Sequence, residues 1–446
     1  MKITDKANFA RPIRSLGFWL WPNEAKCEFA RVAINPRRGC RYPSVLPRES
    51  ALRNGSFRMA ILLLIVLIDL VGFGIVIPLL PYYALKFSAS PLEVTTMMAC
   101  YSFAQFFASP IWGRLSDRLG RKPILLVSLG CSVLSYLWLG FANALWMLFA
   151  ARLLAGAGAG NISAAQAYIT DVTDEKNRAK GMGMIGASFG LGFTLGPAIG
   201  GLLGGSDAAS ATLSYPAFAA ALLSAIALVL AIILLKESLA PQNRISAMRP
   251  GRIALAREAF ARPQLRHLII LFFLTTTAFA GMESTFALWA NSGFGWGPQQ
   301  VGFLFFYVGI VLVLVQGGLV RVLSRSLGES GMALWGSVLL VLGLVGLPFS
   351  TDLPRLLIDM ALLSAGFGIL NPAVTSLVSR AAGSDERGGI LGVNQSGQSL
   401  ARILGPLIGG FFFGAAGRDA PYYVGAVIMV AVVFMTAALP RGEKTR

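Results

Sequence analysis

Apolar residues run along this chain in long unbroken stretches, not in the period-two or period-3.6 rhythm of water-facing elements. Twelve stretches of about 20 residues are legible. They lie at roughly 59–82, 93–113, 123–142, 145–168, 179–204, 215–236, 267–290, 299–320, 331–350, 354–378, 389–414 and 421–439. A helix rises about 1.5 Å per residue, so each stretch is long enough to cross a hydrocarbon layer about 30 Å thick. The pattern predicts an all-α integral membrane protein of twelve transmembrane helices. Most connections are short. The exception is 237–266, charged and Pro-containing, which separates a six-helix half at 59–236 from another at 267–440 and leaves a tail at 441–446.

Composition agrees. Hydrophobic residues make up 55% and charged residues 13%, against about 25% charged in a soluble domain. So few charges cannot cover a water-facing surface, and most of the chain must face lipid. One His, with Cys at 27, 40, 100 and 131, leaves no metal or haem spacing, and no metal or other cofactor is expected. There is neither a nucleophile–base constellation nor a Gly-x-x-x-x-Gly-Lys-Ser/Thr loop, so the pattern supports neither an enzyme nor ATP drive.

The net charge of +17 points to nucleic acid only until the charges are located. Residues 1–58 hold 12 Lys/Arg and 4 Asp/Glu. They read as a basic extension, disordered or, if translation starts at Met59, not translated; no cleavable signal peptide is visible. The other basic residues sit in short loops: Arg114, Arg118, Arg121 and Lys122; Lys176, Arg178 and Lys180; the central segment from Lys236 to Arg266; Arg321 and Arg325; Arg380 and Arg387. The opposite loops hold Lys86, Arg355 and Arg418. Positive charge stays inside, so both termini and 237–266 are expected on the cytoplasmic side of a bacterial inner membrane. The partners expected are the lipid bilayer, protons and a small-molecule substrate, not nucleic acid, with the chain as a monomer.

The halves repeat. Residues 192–201, Gly-Phe-Thr-Leu-Gly-Pro-Ala-Ile-Gly-Gly, recur in 401–410, Ala-Arg-Ile-Leu-Gly-Pro-Leu-Ile-Gly-Gly. Gly156, Gly158 and Asn161 likewise correspond to Gly366, Gly368 and Asn371. Repeated halves about an axis along the membrane normal are a common transporter plan, with the binding site between them near the midplane.

The loop after span two carries Gly113, Asp117, Arg118, Gly120, Arg121 and Lys122. Gly-x-x-x-Asp-Arg-x-Gly-Arg-Lys resembles the signature loop of the major facilitator superfamily. The resemblance covers about 59–440 and implies secondary transport by alternating access, with this loop latching the cytoplasmic face. The corresponding stretch around Gly318 and Arg321 lacks the Asp, which predicts an asymmetric latch. Asp69 lies about 15 Å into span one, near the midplane. A carboxylate at that depth marks a functional site. Its setting, Asp-Leu-Val-Gly-Phe-Gly before Pro78 and Pro81, resembles the drug:proton antiporters, especially the tetracycline-resistance efflux proteins. Arg152, before Gly156 and Gly158 in span four, matches the family motif whose Arg is linked to proton transfer; Arg does not deprotonate, so its role is electrostatic. Gly192, Gly196, Pro197, Gly200 and Gly201 resemble the antiporter motif. The function implied is proton-coupled efflux of amphipathic small molecules, with import or facilitated passage of a sugar or metabolite on the same fold as the alternative. Spans three and nine lack the carboxylates of the tetracycline carriers, which argues against that substrate. Two further charges lie inside spans, Glu283 and Arg402, and join Asp69 and Arg152 as candidates for proton coupling. Gln105, Asn161, Gln166, Asn371, Asn394, Gln395 and Gln398 are candidates for a substrate cavity.

The Lys/Arg asymmetry generates a topology prediction. Reporter fusions at Arg257 and Arg446 are both expected to read cytoplasmic, and a periplasmic signal from either would overturn the orientation.

Overall fold

The computed structural model describes residues 49–173, 175–239, 252–383 and 386–440. Most of the basic extension, the middle of the central segment and the C-terminal tail lie outside the described residues. Residues 54–446 form one compact unit. Its described elements are helical: α1 (Glu49–Val76), α2 (Leu80–Lys86), α3 (Pro91–Leu119), α4 (Arg121–Gly140), α5 (Leu145–Gly158), α6 (Asn161–Val172), α7 (Glu175–Gly204), α8 (Ser214–Leu234), α9 (Arg252–Ala261), α10 (Pro263–Phe294), α11 (Pro298–Leu314), α12 (Val320–Gly346), α13 (Leu353–Ala381), α14 (Arg387–Ala416) and α15 (Ala420–Ala437).

Among the described residues, ten helical stretches are long and apolar enough to cross a membrane. One of them, Pro298–Phe349, is 52 residues long and kinks at Gly328, where φ is +67°, so it holds two crossings. The 29-residue α3 is also long enough but more polar, with Thr95, Thr96 and Gln105 in its sequence. The architecture is all-α and consistent with twelve crossings. Two connections differ from the sequence expectation. The signature loop is mostly helix: α3 runs through Asp117 to Leu119, and the chain turns on Gly120 alone, at φ +110°. The stretch holding Arg321 and Arg325 is helical too, entered through a π-helical turn at Val315–Leu319. Past Gly318, that stretch offers no Gly or Pro to stop the helix before Gly328.

Large apolar side chains cover the outside. Ile233, Val427 and Phe434 are each 71% exposed. In water such a belt would drive aggregation; in hydrocarbon it is the expected surface. Inside, Phe272, Phe286 and Trp289 on α10 belong to the core of the second half. Two smaller clusters form the core of the first, around Tyr136 and Leu148 and around Leu62 and Tyr168.

The internal repeat governs the packing. A Cβ on Gly196 would lie 2.5 Å from the Cα of Gly74, and one on Gly200 would lie 2.1 Å from the Ile75 carbonyl oxygen. Thus α7 seats on α1 backbone to backbone. In the second half, Gly405 and Gly409 seat α14 on α10, with Cβ positions 2.6 Å from the Thr277 oxygen and 2.9 Å from the Gly281 oxygen. The next glycine of each motif joins the halves. Gly201 meets Pro298 and Gly302 of α11, and Gly410 meets Leu92 and Thr95 of α3. The Gln299 amide also donates to the Gly205 carbonyl across the seam, at 3.1 Å. These contacts lie at the end opposite the basic loops. Towards the basic end, a Cβ on Gly183, Gly186, Gly388 or Gly392 meets nothing within 4 Å. The glycine contacts that seal the halves lie at the end opposite the basic loops.

Adding a side chain at this contact overpacks a closed seam, which costs about 1–3 kcal/mol. Gly196→Leu is expected to reduce transport about tenfold, with a smaller loss of folded protein; Pro197→Ala should have the milder effect of the two. Transport normalised to membrane-inserted protein checks this, and wild-type rates for both variants would show the motif to be incidental.

Candidate functional site

Asp69 is buried at mid-length of the first crossing. Its carboxylate accepts hydrogen bonds from Asn161 Nδ2 and from Ser224 Oγ at 3.2 Å, and the Ser132 hydroxyl lies nearby. Asn161 begins α6, and the fourth crossing is broken just before it, at Ala159 and Gly160. A broken helix inside a membrane must satisfy its freed backbone groups internally. Here Trp112 Nε1 donates to the Ala157 carbonyl at 2.6 Å, and the Asn161 amide donates to Ser128 Oγ at 3.0 Å. Gly160 is required because a Cβ there would lie 2.7 Å from Trp112 Cγ.

Arg152 on α5 is buried, not turned out to the membrane rim. Its guanidinium lies over the Tyr101 ring at 4.7 Å and the Phe73 ring at 5.7 Å. Its Nε has no hydrogen-bond partner, and no ion pair to Asp69 is present among the described residues. A cation–π contact is worth up to about 2 kcal/mol, whereas burying an ion costs several, so the rings alone do not compensate this charge. Phe73 is one helical turn beyond Asp69 on α1. Arg152 therefore contacts the crossing of Asp69 through a ring one turn beyond the carboxylate.

The second half presents Glu283 on α10, half-buried, and Arg402 on α14, exposed, on helices that meet at Gly281 and Gly405. No ion pair joins Glu283 to Arg402 among the described residues, though they lie within electrostatic reach of each other. Tyr101 under Arg152 lies on α3, the helix on which Gly410 of α14, the helix of Arg402, is seated. Asn394, Gln398 and Arg402 share one face of α14 at four-residue spacing, and Asn394 is buried with an unpartnered Oδ1. Gln105 is half-buried one turn from Tyr101, Asn371 is half-buried on α13, and Gln166 and Gln395 are exposed. The sequence reading of two further intramembrane charges needs correction. Asp359 on α13 is a third, buried over Gly346 and accepting from Ser350 Oγ at 2.6 Å.

At the basic end, Arg121 Nη1 bonds Asp117 at 2.6 Å and Ser116 Oγ at 3.1 Å, and its Nε bonds Asp171 at the end of α6 at 3.1 Å. Gly120 admits the Glu237 carboxylate, which accepts the Arg121 and Lys122 amides at 2.8 and 3.1 Å. The carboxylate on that helix start is Glu237; Asp117 pairs with Arg121 instead. The second half carries the same pairing with its signs exchanged: Glu329, at the start of the ninth crossing, bonds Arg380 at the end of the tenth. No ion pair among the described residues joins one half to the other; Arg262 of the central segment pairs with Glu258 and with Glu386 of the second half.

Comparison with known proteins now decides the family. The model of the Major Facilitator Superfamily matches residues 62–395 and 319–446. The chain belongs to the Major Facilitator Superfamily. It is 30% identical over 388 residues to the class C tetracycline resistance protein of Escherichia coli, covering 85% of this chain and 96% of that one. It is also 30% identical over 383 residues to multidrug resistance protein 1 of Bacillus subtilis strain 168, covering 85% and 95%. Among solved structures it resembles the human organic anion transporter MFSD10, with 26% identity, a TM-score of 0.66 and coverage of 86% and 99%. The nucleoside transporter NupG, 14% identical with a TM-score of 0.70 over 86% and 100%, shares the fold. This superfamily member is thus a multi-pass membrane transporter of small molecules, not an enzyme.

Sequence reasoning missed the hydroxyls around Asp69, the aromatic pair around Arg152, and the roles of Asp171 and Glu237. Serines inside apolar runs look alike until packing selects Ser132 and Ser224. Asp171 and Glu237 look like ordinary loop charges until Arg121 and Gly120 meet them.

The cluster predicts a graded mutational response. Asp117→Asn keeps volume and removes one charge; it is expected to lower transport about tenfold with folded protein near wild-type level. Arg121→Ala breaks bonds to three side chains and is expected to reduce folded protein as well. Quantifying membrane protein beside transport checks both; loss of protein in Asp117→Asn would assign it a structural role only.

Proposed function

We propose that this transporter exports amphipathic small molecules in exchange for protons, with Asp69 as the principal proton carrier. The observation that carries this reading is the placement of Asp69. It is a buried carboxylate at mid-depth, tied to the break in the fourth crossing, with Arg152 over the Phe73 ring one turn further along the same helix. A slide of about one turn between α1 and α5 exchanges the Asn161 contact for the guanidinium, and the affinity for the proton changes with it. A hundredfold difference in proton affinity between two states corresponds to about 2.7 kcal/mol, enough to move an alternating-access equilibrium by the same factor. The relatives named for tetracycline and multidrug resistance support efflux as the direction.

In this scheme Glu283 and Arg402 form the second charged pair of the transport path, and Arg152 is the switchable counter-charge of Asp69. Gln105, Asn161, Gln166, Asn371, Asn394 and Gln398 face the substrate during the cycle. The loop from Gly113 to Lys122 closes the basic end when the opposite end opens, and the stripe Gly192, Gly196, Gly200 with Pro197 and Gly201 guides α7 in that exchange. The chain acts as a monomer in a bacterial inner membrane, with both termini and 237–266 cytoplasmic.

Everted vesicles with a pH-sensitive dye, screened against a panel of amphipathic compounds including tetracycline, test this reading. Asp69→Asn is expected to abolish proton-driven export yet leave substrate binding or downhill exchange at least partly intact. Glu283→Gln should weaken transport to an extent that depends on the substrate. Wild-type proton movement on substrate addition in Asp69→Asn vesicles would remove Asp69 from the coupling role.

A further inference from the structure

We propose that α6 is a lever that carries the state of Asp69 to the loop at the basic end, with Asn161 as the positioning residue that engages it. The inference rests on the reading of Asp69 as proton carrier. The helix is separated from α5 by a built hinge. Ala159 has φ −72° and ψ +57°, outside the helical region, and Gly160 follows it as the cap. Trp112 Nε1 and Ser128 Oγ satisfy the groups freed there, so the break is a fixed pivot and not a frayed end. From the pivot, α6 runs as one unbroken helix to Val172. Asn161 and Asp171 lie ten residues apart on it, about 15 Å along its axis.

Both ends of this rod are tied to the transport machinery. At one end Asn161 Nδ2 donates to Asp69. At the other, Asp171 accepts from Arg121 Nε at 3.1 Å and from Ser238 Oγ at 2.9 Å. Arg121 in turn holds Asp117 at 2.6 Å. Asp69 is thereby joined to Asp117 through three side chains, Asn161, Asp171 and Arg121, and one rigid helix. An ionised Asp69 accepts hydrogen bonds on both oxygens. Protonation turns one of them into a donor and weakens its claim on the Asn161 amide. Release at the pivot frees α6 to swing, and the swing moves Asp171 against Arg121.

Other titratable or charged groups lie within electrostatic reach of Asp69 or beside the pivot: Tyr101 on α3, Tyr136 and Cys131 on α4, and Arg152 on α5. From α7 the nearest contact is Gly192 against Leu70, and from α8 it is Ser224, neither of them charged. Of the hydrogen bonds to Asp69, the one from Ser224 comes from the interior of an unbroken helix. The bond from Asn161 comes from a segment with a hinge.

The test is conformational, so that it reads transmission and not transport. Spin labels at Ala167 on α6 and Val127 on α4 of the full chain, in a background lacking other cysteines, report their separation in lipid nanodiscs at acidic and alkaline pH. The wild type is expected to show two separations that exchange with pH. Asp69→Asn and Asn161→Ala should each lose that exchange, and Asn161→Gln, which keeps the amide donor, should restore part of it. Proton-driven export by Asn161→Ala should fall about tenfold, equivalent to about 1.4 kcal/mol. A separation independent of pH in the wild type overturns the lever. Loss of the response in Asp69→Asn with its retention in Asn161→Ala also overturns the lever and leaves Asp69 as the proton site. Retention of the response in Asp69→Asn overturns the proton site itself, and the lever with it.

Discussion

The structure depends on the contact between Gly196 and Gly74, where two helix backbones touch with no side chain between them. Lipid tails are as apolar as leucine, so burial gives membrane helices little reason to associate. Close backbone packing supplies the attraction instead, and only glycine permits it. The Gly192, Gly196 and Gly200 stripe fixes α7 on α1 at the depth of Asp69, and the Gly405 and Gly409 stripe fixes α14 on α10 beside Glu283. Both functional carboxylates lie beside these seams; Asp69 takes its hydrogen bonds from Asn161 on α6 and Ser224 on α8.

The same glycine motif does two jobs in each half. Its inner residues hold a half together; its last residue, Gly201 or Gly410, seals that half against the other at the end away from the basic loops. No ion pair crosses the seam among the described residues: Arg121 pairs with Asp171 and Arg380 with Glu329 inside their halves, and Glu386 pairs with Arg262 of the central segment. Glycine packing thus closes one end, while the charged clusters lie at the other. An alternating-access cycle needs such a division, since the two seals must exchange without both being strong at once.

The buried polar groups form two sets. Asp69, Asp359 and the broken ends of the fourth crossing have their hydrogen-bond partners. Arg152 and Asn394 have none on Nε and Oδ1. Satisfied groups hold a conformation; unsatisfied ones, expensive in a membrane interior, are those a substrate, a proton or a moving helix is able to pair.

Much of this was legible from the chain alone. Runs of about 20 apolar residues specify membrane-crossing helices because backbone groups in lipid must be paired internally. The repeat of Gly-Pro-x-x-Gly-Gly marked both seams, because a close approach is written in small residues at fixed spacing. Asp69, Arg152, Glu283 and Arg402 stood out because charge inside an apolar run is rare. Tertiary structure alone decided the partners. Nothing in the sequence joins Asn161 to Asp69 across 92 positions, or turns Arg152 onto Tyr101 and not onto Asp69. The continued helix at Arg321, the break at Gly160 and the place of Glu237 above Gly120 likewise depend on neighbours from distant segments. Hydropathy is a property of each segment by itself, so the sequence carries it in full. A buried polar contact is a property of two or more segments brought together, and it exists only once they are packed.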